Sequence, residues 1–238
     1  MREYRIEPMP QVVDPALLRH LEKIETASVG HLRHTGFMHG NIQALDRQQH
    51  ACAGVAVTLA LPAMCSTLLH YALSHLRAGD MLVIDRLGDD RHACLGGVVA
   101  RAAKQAGIAG VIIDGPCTDA AEILAEGLPV WCRGISSITT RQLDLGGTFN
   151  RPVSCGNVPV LAGDIVLADA SGVVVLPADE AAEIADICIA REARVAKTME
   201  RLLNGDKLGD ITLATDKVNN YLQLARNNKA NNGIKGRT

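Results

Sequence analysis

The chain has 238 residues, 47% of them hydrophobic and 21% charged, with a net charge of −2 and a pI near 6.4. That length admits one large domain with appendages and a sizeable core, while the near-neutral balance gives no electrostatic footing for nucleic acid or an anionic membrane. With one Trp, three Tyr and two Phe, the core must rest on Ala, Val, Ile and Leu.

No apolar run of about 18 residues occurs, and Met1-Arg2-Glu3-Tyr4 reads as the start of neither a signal nor a transit peptide. The expectation is a cytoplasmic protein with no nucleic-acid or membrane partner. Cys52, Cys65, Cys94, Cys117, Cys132, Cys155 and Cys188 form no C-x-x-C pair. They read as small core residues in a reducing compartment rather than a disulfide framework or zinc knuckle.

Asp14-Pro15 reads as an N-cap followed by proline at the first helical position, opening a helix toward Lys23. A second helix is expected from Ser28 to His34, ending at Gly36. Ala53 to Leu59 is β-branched and alternating, as a strand requires. Met64 to Arg77 is helical in pattern, and Gly79-Asp80 turns the chain into a strand from Met81 to Asp85. A helix over Gly96–Gln105 and a strand over Gly110–Asp114 follow, then a short helix from Asp119 to Ala125 and a strand from Pro129 to Arg133. Ser136 to Asn150 reads as a long loop. Two short strands surround Cys155-Gly156-Asn157, and Ile165 to Ala168 pairs with Val173 to Leu176 as a hairpin. Asp179 caps a long helix to about Asn204.

Ala78-Gly79-Asp80 is echoed by Ala162-Gly163-Asp164, each leading a four-residue apolar strand closed by Asp85 or Asp169. Two copies are too few for a solenoid and read as two similar turn-strand units. Strands and helices are mixed without strict βαβ alternation. After Gly205 the chain turns polar, with six Asn from 219 onward. Ile211 to Leu224 is expected as a short amphipathic helix on a neighbouring subunit, and the last ten residues as a frayed end.

The most informative stretch runs from Leu95 to Asp119. The bare amides of Gly96 and Gly97, with those of Val98 and Val99, sit at a helix N-terminus that suits a substrate carboxylate, although tight helix–sheet packing also selects glycine. Asp119, just past a strand end, suits a hard cation or serves as a helix N-cap. Asp114 reads as a buttress of the loop through backbone amides. Cys117, before a helix, invites a test as nucleophile, but no base accompanies it. His31, His34 and His39 are split by Gly36-Phe37, and zinc is not expected. His70 and His75 read as surface or interface residues.

With Leu128-Pro129-Val130, Arg133-Gly134 and the stretch from Ala162 to Pro177, this unit resembles the family of 4-hydroxy-4-methyl-2-oxoglutarate aldolases and RraA-type regulators of ribonuclease E activity. The resemblance covers roughly Ala53 to Glu200. It implies an α/β fold, the swivelling β/β/α sandwich of the RraA-like type with a long C-terminal helix, as a single domain over residues 1–204 with a polar extension over 205–238. It also implies a divalent metal, Mg or Mn, on Asp119, a small 2-oxo acid substrate, and a trimer or hexamer of identical chains.

The family's active members carry an acidic residue, a twenty-residue spacer and Arg-Asp. Here these positions read Gly97, Thr118 and Asp119. The family's Arg holds the 2-oxo acid end and steadies the developing enolate. Thr118 at that catalytic position can hydrogen-bond but brings no charge, which removes an interaction worth about 1.5–3 kcal/mol. Arg86 or Arg91 is a candidate replacement. Glu192, between Arg191 and Arg194, is a candidate acid reaching a neighbouring subunit's site, or else part of a solvated helix face. The implied activity is a metal-dependent aldolase or decarboxylase. The alternative is a regulatory or scaffold protein of the same fold without catalysis.

Overall fold

A computed structural model describes residues 3–234. Strand β1 (Tyr4–Ile6) precedes helices α1 (Pro15–Leu21) and α2 (Thr26–Gly30) and the two-residue strand β2 (Gln43–Ala44). Asp14 caps α1 as expected, its carboxylate accepting the Ala16 amide at 2.8 Å, with Pro15 in the first turn.

The centre is a run of β3 (Cys52–Ala60), α3 (Thr67–Leu73), β4 (Asp80–Asp85), α4 (Gly97–Gln105), β5 (Gly110–Ile113), α5 (Ala120–Glu126) and β6 (Val130–Cys132). Neighbouring strands of this run are parallel throughout. Strict βαβ alternation therefore does hold here, where the sequence patterning suggested a mixture. Then come β7 (Gly147–Phe149), β8 (Val153–Cys155), β9 (Val158–Val160), β10 (Ile165–Asp169) and β11 (Gly172–Leu176). Helices α6 (Ala181–Leu203), α7 (Leu208–Ile211) and α8 (Ala214–Ile234) complete the described chain.

The nine-stranded sheet has the order β1-β7-β3-β4-β5-β6-β2, with β10 added against β3 and β11 against β10; β8 and β9 pair separately. The two Gly-Asp turns flank the same strand. Gly79 and Gly163 have φ of 84° and 100°, a region glycine enters at little cost. Val55 of β3 then pairs with Asp80 on one side and with Ile165 on the other. Each turn's carboxylate closes it locally: Asp80 accepts the Arg77 amide at 2.7 Å and Asp164 the Leu161 amide at 2.8 Å.

Period-two alternation divides the core. Leu82 and Ile84 of β4 face a layer with Leu69, Ala100, Ala103 and Ile123 of α3, α4 and α5. Met81 and Val83 face the opposite layer with Trp131 and the β8–β9 pair. A third layer packs α1 and the start of α6 on β10 and β11.

The chain divides into two compact units, Met1–Ile189 and Ala190–Thr238, so α6 crosses the division. The boundary expected at residue 204 falls inside the second unit, at the end of α6. That unit holds the remainder of α6, then α7 and α8. Leu213, Val218, Tyr221, Leu222 and Leu224 are exposed. Residues 235–238, part of the end expected to fray, lie outside the described residues.

Among the described residues, no helix is long and apolar enough to cross a membrane. The expected loop from Ser136 to Asn150 contains β7. There Gly146 and Gly147, with φ of 86° and 132°, lead the chain alongside β1 and β3.

Candidate active site

Gly96 is the N-cap of α4 and caps it without a side chain. The first helical bond runs from the Ala100 amide to the Gly96 carbonyl at 2.9 Å, so the amides of Gly97, Val98 and Val99 have no partner within the helix. Asp119 meets them from the end of β5. It stands at the N-cap of α5 in the left-handed region, φ 50°, yet its side chain makes no cap bond to that helix. Asp119 Oδ2 instead accepts the Gly97 amide at 3.2 Å, and Oδ1 accepts the Thr118 hydroxyl at 3.2 Å.

Of the two roles open to Asp119, side-chain capping of α5 is thus set aside. At the expected anion site the protein's own Asp119 carboxylate takes the Gly97 amide. The Val98 and Val99 amides have no hydrogen-bond partner among the described residues.

The two glycines make this approach possible. A Cβ on Gly96 would lie 2.5 Å from Asp119 Oδ2 and 2.9 Å from Thr118 Cγ2. Any other residue there would push the carboxylate off the helix. Gly96, Gly97, Val98, Val99, Thr118 and Asp119 all line one cleft of about 180 Å³. Its other wall carries Ser66, His70, Thr139 and Thr140, and no lysine or arginine lines it. His70 is exposed, as expected, and it also lines this cleft, with Nδ1 3.0 Å from Gln142 Nε2. The sequence signal is the i, i+4 spacing of Ser66 and His70, which puts both on one helix face.

Neither arginine candidate enters the cleft. Arg86 is fully buried and bonds to the Ala63 carbonyl, Asp89 and the His92 carbonyl. Burial alone would raise the Asp89 carboxyl, but His92, the Arg91 amide and the Arg86 charge outweigh it and hold it below its usual range. Arg91 is exposed, its carbonyl accepting from Ser136.

Cys117, not expected as a nucleophile for want of a base, is placed away from solvent. It is buried in contact with Cys132, Sγ to Sγ 3.6 Å. The hydrogen bond toward Cys132 and burial both push its thiol far up, while the same bond brings Cys132 down to about 7.

Asp114 does not hold its own loop: it accepts the Gly156 amide of the β8–β9 turn at 2.8 Å and pairs with Arg133. A larger cleft of about 760 Å³ lies beyond it. Its charged groups are mostly committed to one another, Asp114 to Arg133 and Asp89 to Arg86 and His92. The smaller cleft holds the Asp119 carboxylate beside the N-terminal amides of α4.

Among the described residues, no group of three or more His, Cys, Asp or Glu is placed to hold a metal ion. A cation at Asp119 would take most of its ligands from water and substrate, as magnesium prefers. Glu192 lies on α6 in the second compact unit.

The family model described as RraA-like, Aldolase/RraA, matches residues 11–175. A Halalkalibacterium halodurans protein with the provisional name 4-hydroxy-4-methyl-2-oxoglutarate aldolase is 39% identical over 106 residues, 44% of this chain. That match spans half the length of the relative. The crystal structure of Streptomyces coelicolor RraAS2, titled an unusual member of the RNase ES inhibitor RraA family, superposes with a TM-score of 0.71 at 31% identity. It covers 79% of this chain and 98% of that one. The RNA-processing inhibitor RraA from Thermus thermophilus superposes with a TM-score of 0.58 at 26% identity, over 64% of this chain and 92% of its own.

Proposed function

The chain belongs to the RraA-like family, and we propose that within it the protein is a divalent-metal-dependent lyase acting on a pyruvate-like 2-oxo acid. The observation that carries this reading is the Asp119 carboxylate held against the glycine-bared N-terminus of α4. These residues fit a hard ion such as Mg or Mn: the donors are carboxylate oxygens, and the cradle is one that a Cβ would fill. When bound, such an ion supplies Lewis-acid polarisation of a 2-oxo group.

The chain's own residues do the rest. Thr118 donates to Asp119 and fixes the carboxylate. The amides of Val98 and Val99, at the positive end of α4, receive the substrate carboxylate. Gln142 orients the His70 ring on the facing wall. Glu192 stays in the proposal as an acid lent by one copy to the cleft of the next, in a trimer or hexamer. The provisional aldolase name of the halodurans relative supports the reading.

A second reading, a regulator that binds other proteins without catalysis, is favoured by the absence of lysine and arginine from the cleft lining. The RraA titles of the structural neighbours agree with it. Pyruvate release from oxaloacetate separates the two. The lyase reading expects release that needs Mg or Mn and stops with chelator. No release above the metal-only background across a panel of 2-oxo acids would leave the regulator.

A further inference from the structure

Two sulfurs meet at the base of the loop that carries Asp119. Cys117 Sγ and Cys132 Sγ stand 3.6 Å apart, and the backbones that carry them are already fastened to one another. The Cys117 amide donates to the Gly134 carbonyl, and the Cys117 carbonyl accepts the Ser136 amide, both at 2.9 Å. Cys117 thus forms a short parallel bridge beside Ile135, just past the end of β6. Closing the sulfurs to a covalent bond of about 2.05 Å therefore asks for a movement of about 1.5 Å, with no rearrangement of strands.

The two thiols are not equivalent. Cys117 has no exposed surface, whereas Cys132, 3% exposed, forms part of the wall of a cleft of about 190 Å³ that also carries Arg47 and Arg133. A small polar oxidant entering that cleft meets Cys132 first. The contact with Cys117 also lowers the Cys132 thiol, which favours its reactive thiolate form. Cys94 shares the same core layer and is the competing partner for either sulfur.

We propose that Cys117 and Cys132 are a peroxide-sensitive pair that closes reversibly to a disulfide, with Cys132 reacting first. The Cys132 thiolate attacks one peroxide oxygen and the O–O bond breaks. The departing oxygen takes up a proton and leaves as water or an alcohol, and Cys132 is left as a sulfenic acid. Cys117 Sγ then attacks Cys132 Sγ: the S–S bond forms, the S–O bond breaks, and the displaced hydroxide leaves as water with the Cys117 proton. Two electrons pass from the thiols to the peroxide, and a dithiol reductant reverses the bond. Cys117 is two residues ahead of Asp119, so the bond tethers the loop that holds that carboxylate. Its formation does not depend on chemistry at Asp119.

The test exposes the reduced, folded chain to hydrogen peroxide, blocks the remaining thiols with iodoacetamide and maps disulfides by mass spectrometry after digestion. The wild type is expected to yield a peptide linking Cys117 to Cys132, lost on treatment with dithiothreitol. Cys117→Ser is expected to stop at a sulfenic acid on Cys132 that dimedone traps, and Cys132→Ser to leave Cys117 unmodified, both at native circular dichroism. No linked peptide from the folded wild type, under exposure that oxidises free glutathione, would overturn the proposal however the variants behave. A link from Cys94 to either sulfur in its place would overturn the pairing, and dimedone on Cys117 in Cys132→Ser would overturn the order of attack.

Discussion

At the scale of single residues, the site rests on which positions lack a side chain and which lack a charge. Thr118 stands where an arginine would face the developing charge of a 2-oxo acid, and preorganised charge there is a large part of such a barrier. Thr118→Arg is therefore expected to raise metal-dependent cleavage of 4-hydroxy-4-methyl-2-oxoglutarate by ~10–100-fold, the equivalent of one charge-assisted hydrogen bond. Steady-state kinetics checks it, and an unchanged kcat/KM in a folded, Mn-loaded variant would contradict it. The motif alone suggests adding Gly97→Asp as well, but the structure advises against it. A side chain at 97 collides with Glu122, so the double variant is expected to gain less than Thr118→Arg alone. All six predicted cleft residues do meet, because they sit at the two ends of one β-α-β unit whose geometry is local. His70 was legible as a surface residue but not as part of the cleft, since its partner Gln142 is 72 residues away.

At the scale of elements, the β10–β11 turn hangs on one buried carboxylate. Asp169, 6% exposed, accepts the Thr26 amide at 2.8 Å and its hydroxyl at 2.7 Å, and the Ser171 and Gly172 amides at 2.8 and 3.2 Å. It thus ties the hairpin to the start of α2. Asp169→Ala leaves several donors unpaired, each at a cost of about 1–3 kcal/mol when buried. The expected loss is ~3 kcal/mol by urea denaturation, and a loss under ~1 kcal/mol would mean water replaces these bonds freely. The hairpin itself was plain in the sequence, as were β3 to β6, because long apolar runs bounded by glycine and aspartate leave little choice. The strands that were missed, β1, β2 and β7, are two or three residues long. Their pairing depends on tertiary partners rather than on any pattern they carry. Helix α3 is shorter than expected, Thr67–Leu73, since the segments on either side are drawn into loop contacts such as Ser66 to the Arg141 carbonyl.

At the scale of the whole molecule, six of the seven thiols are buried and all are free. Burial raises Cys94 from 9.0 to about 11 and Cys52 to about 12, and lifts Cys155 well above its usual value. A raised folded-state pKa contributes stability in full below the unfolded value, and that contribution is lost as pH climbs through the folded one. The thermal midpoint is therefore expected to fall between pH 9 and 11, and a Cys94→Ala variant, whatever its baseline, to lose less over that interval. Equal losses in both proteins would contradict the assignment. In the second compact unit Val195, Met199, Leu203 and Leu208 are exposed, as are Val218, Tyr221, Leu222 and Leu224 of α8. The proposed assembly predicts light-scattering masses of three or six times 25.3 kDa; a monomer at micromolar concentration would contradict it. The central claim is that chemistry occurs at Asp119, and it is tested most directly by pyruvate release from oxaloacetate with Mn2+, comparing wild type with Asp119→Asn at matched circular dichroism. The account predicts metal-dependent release by the wild type and a loss of at least ~100-fold in the variant, the scale on which a group acting in the transition state contributes. Equal metal-dependent rates in the two proteins would place the chemistry elsewhere.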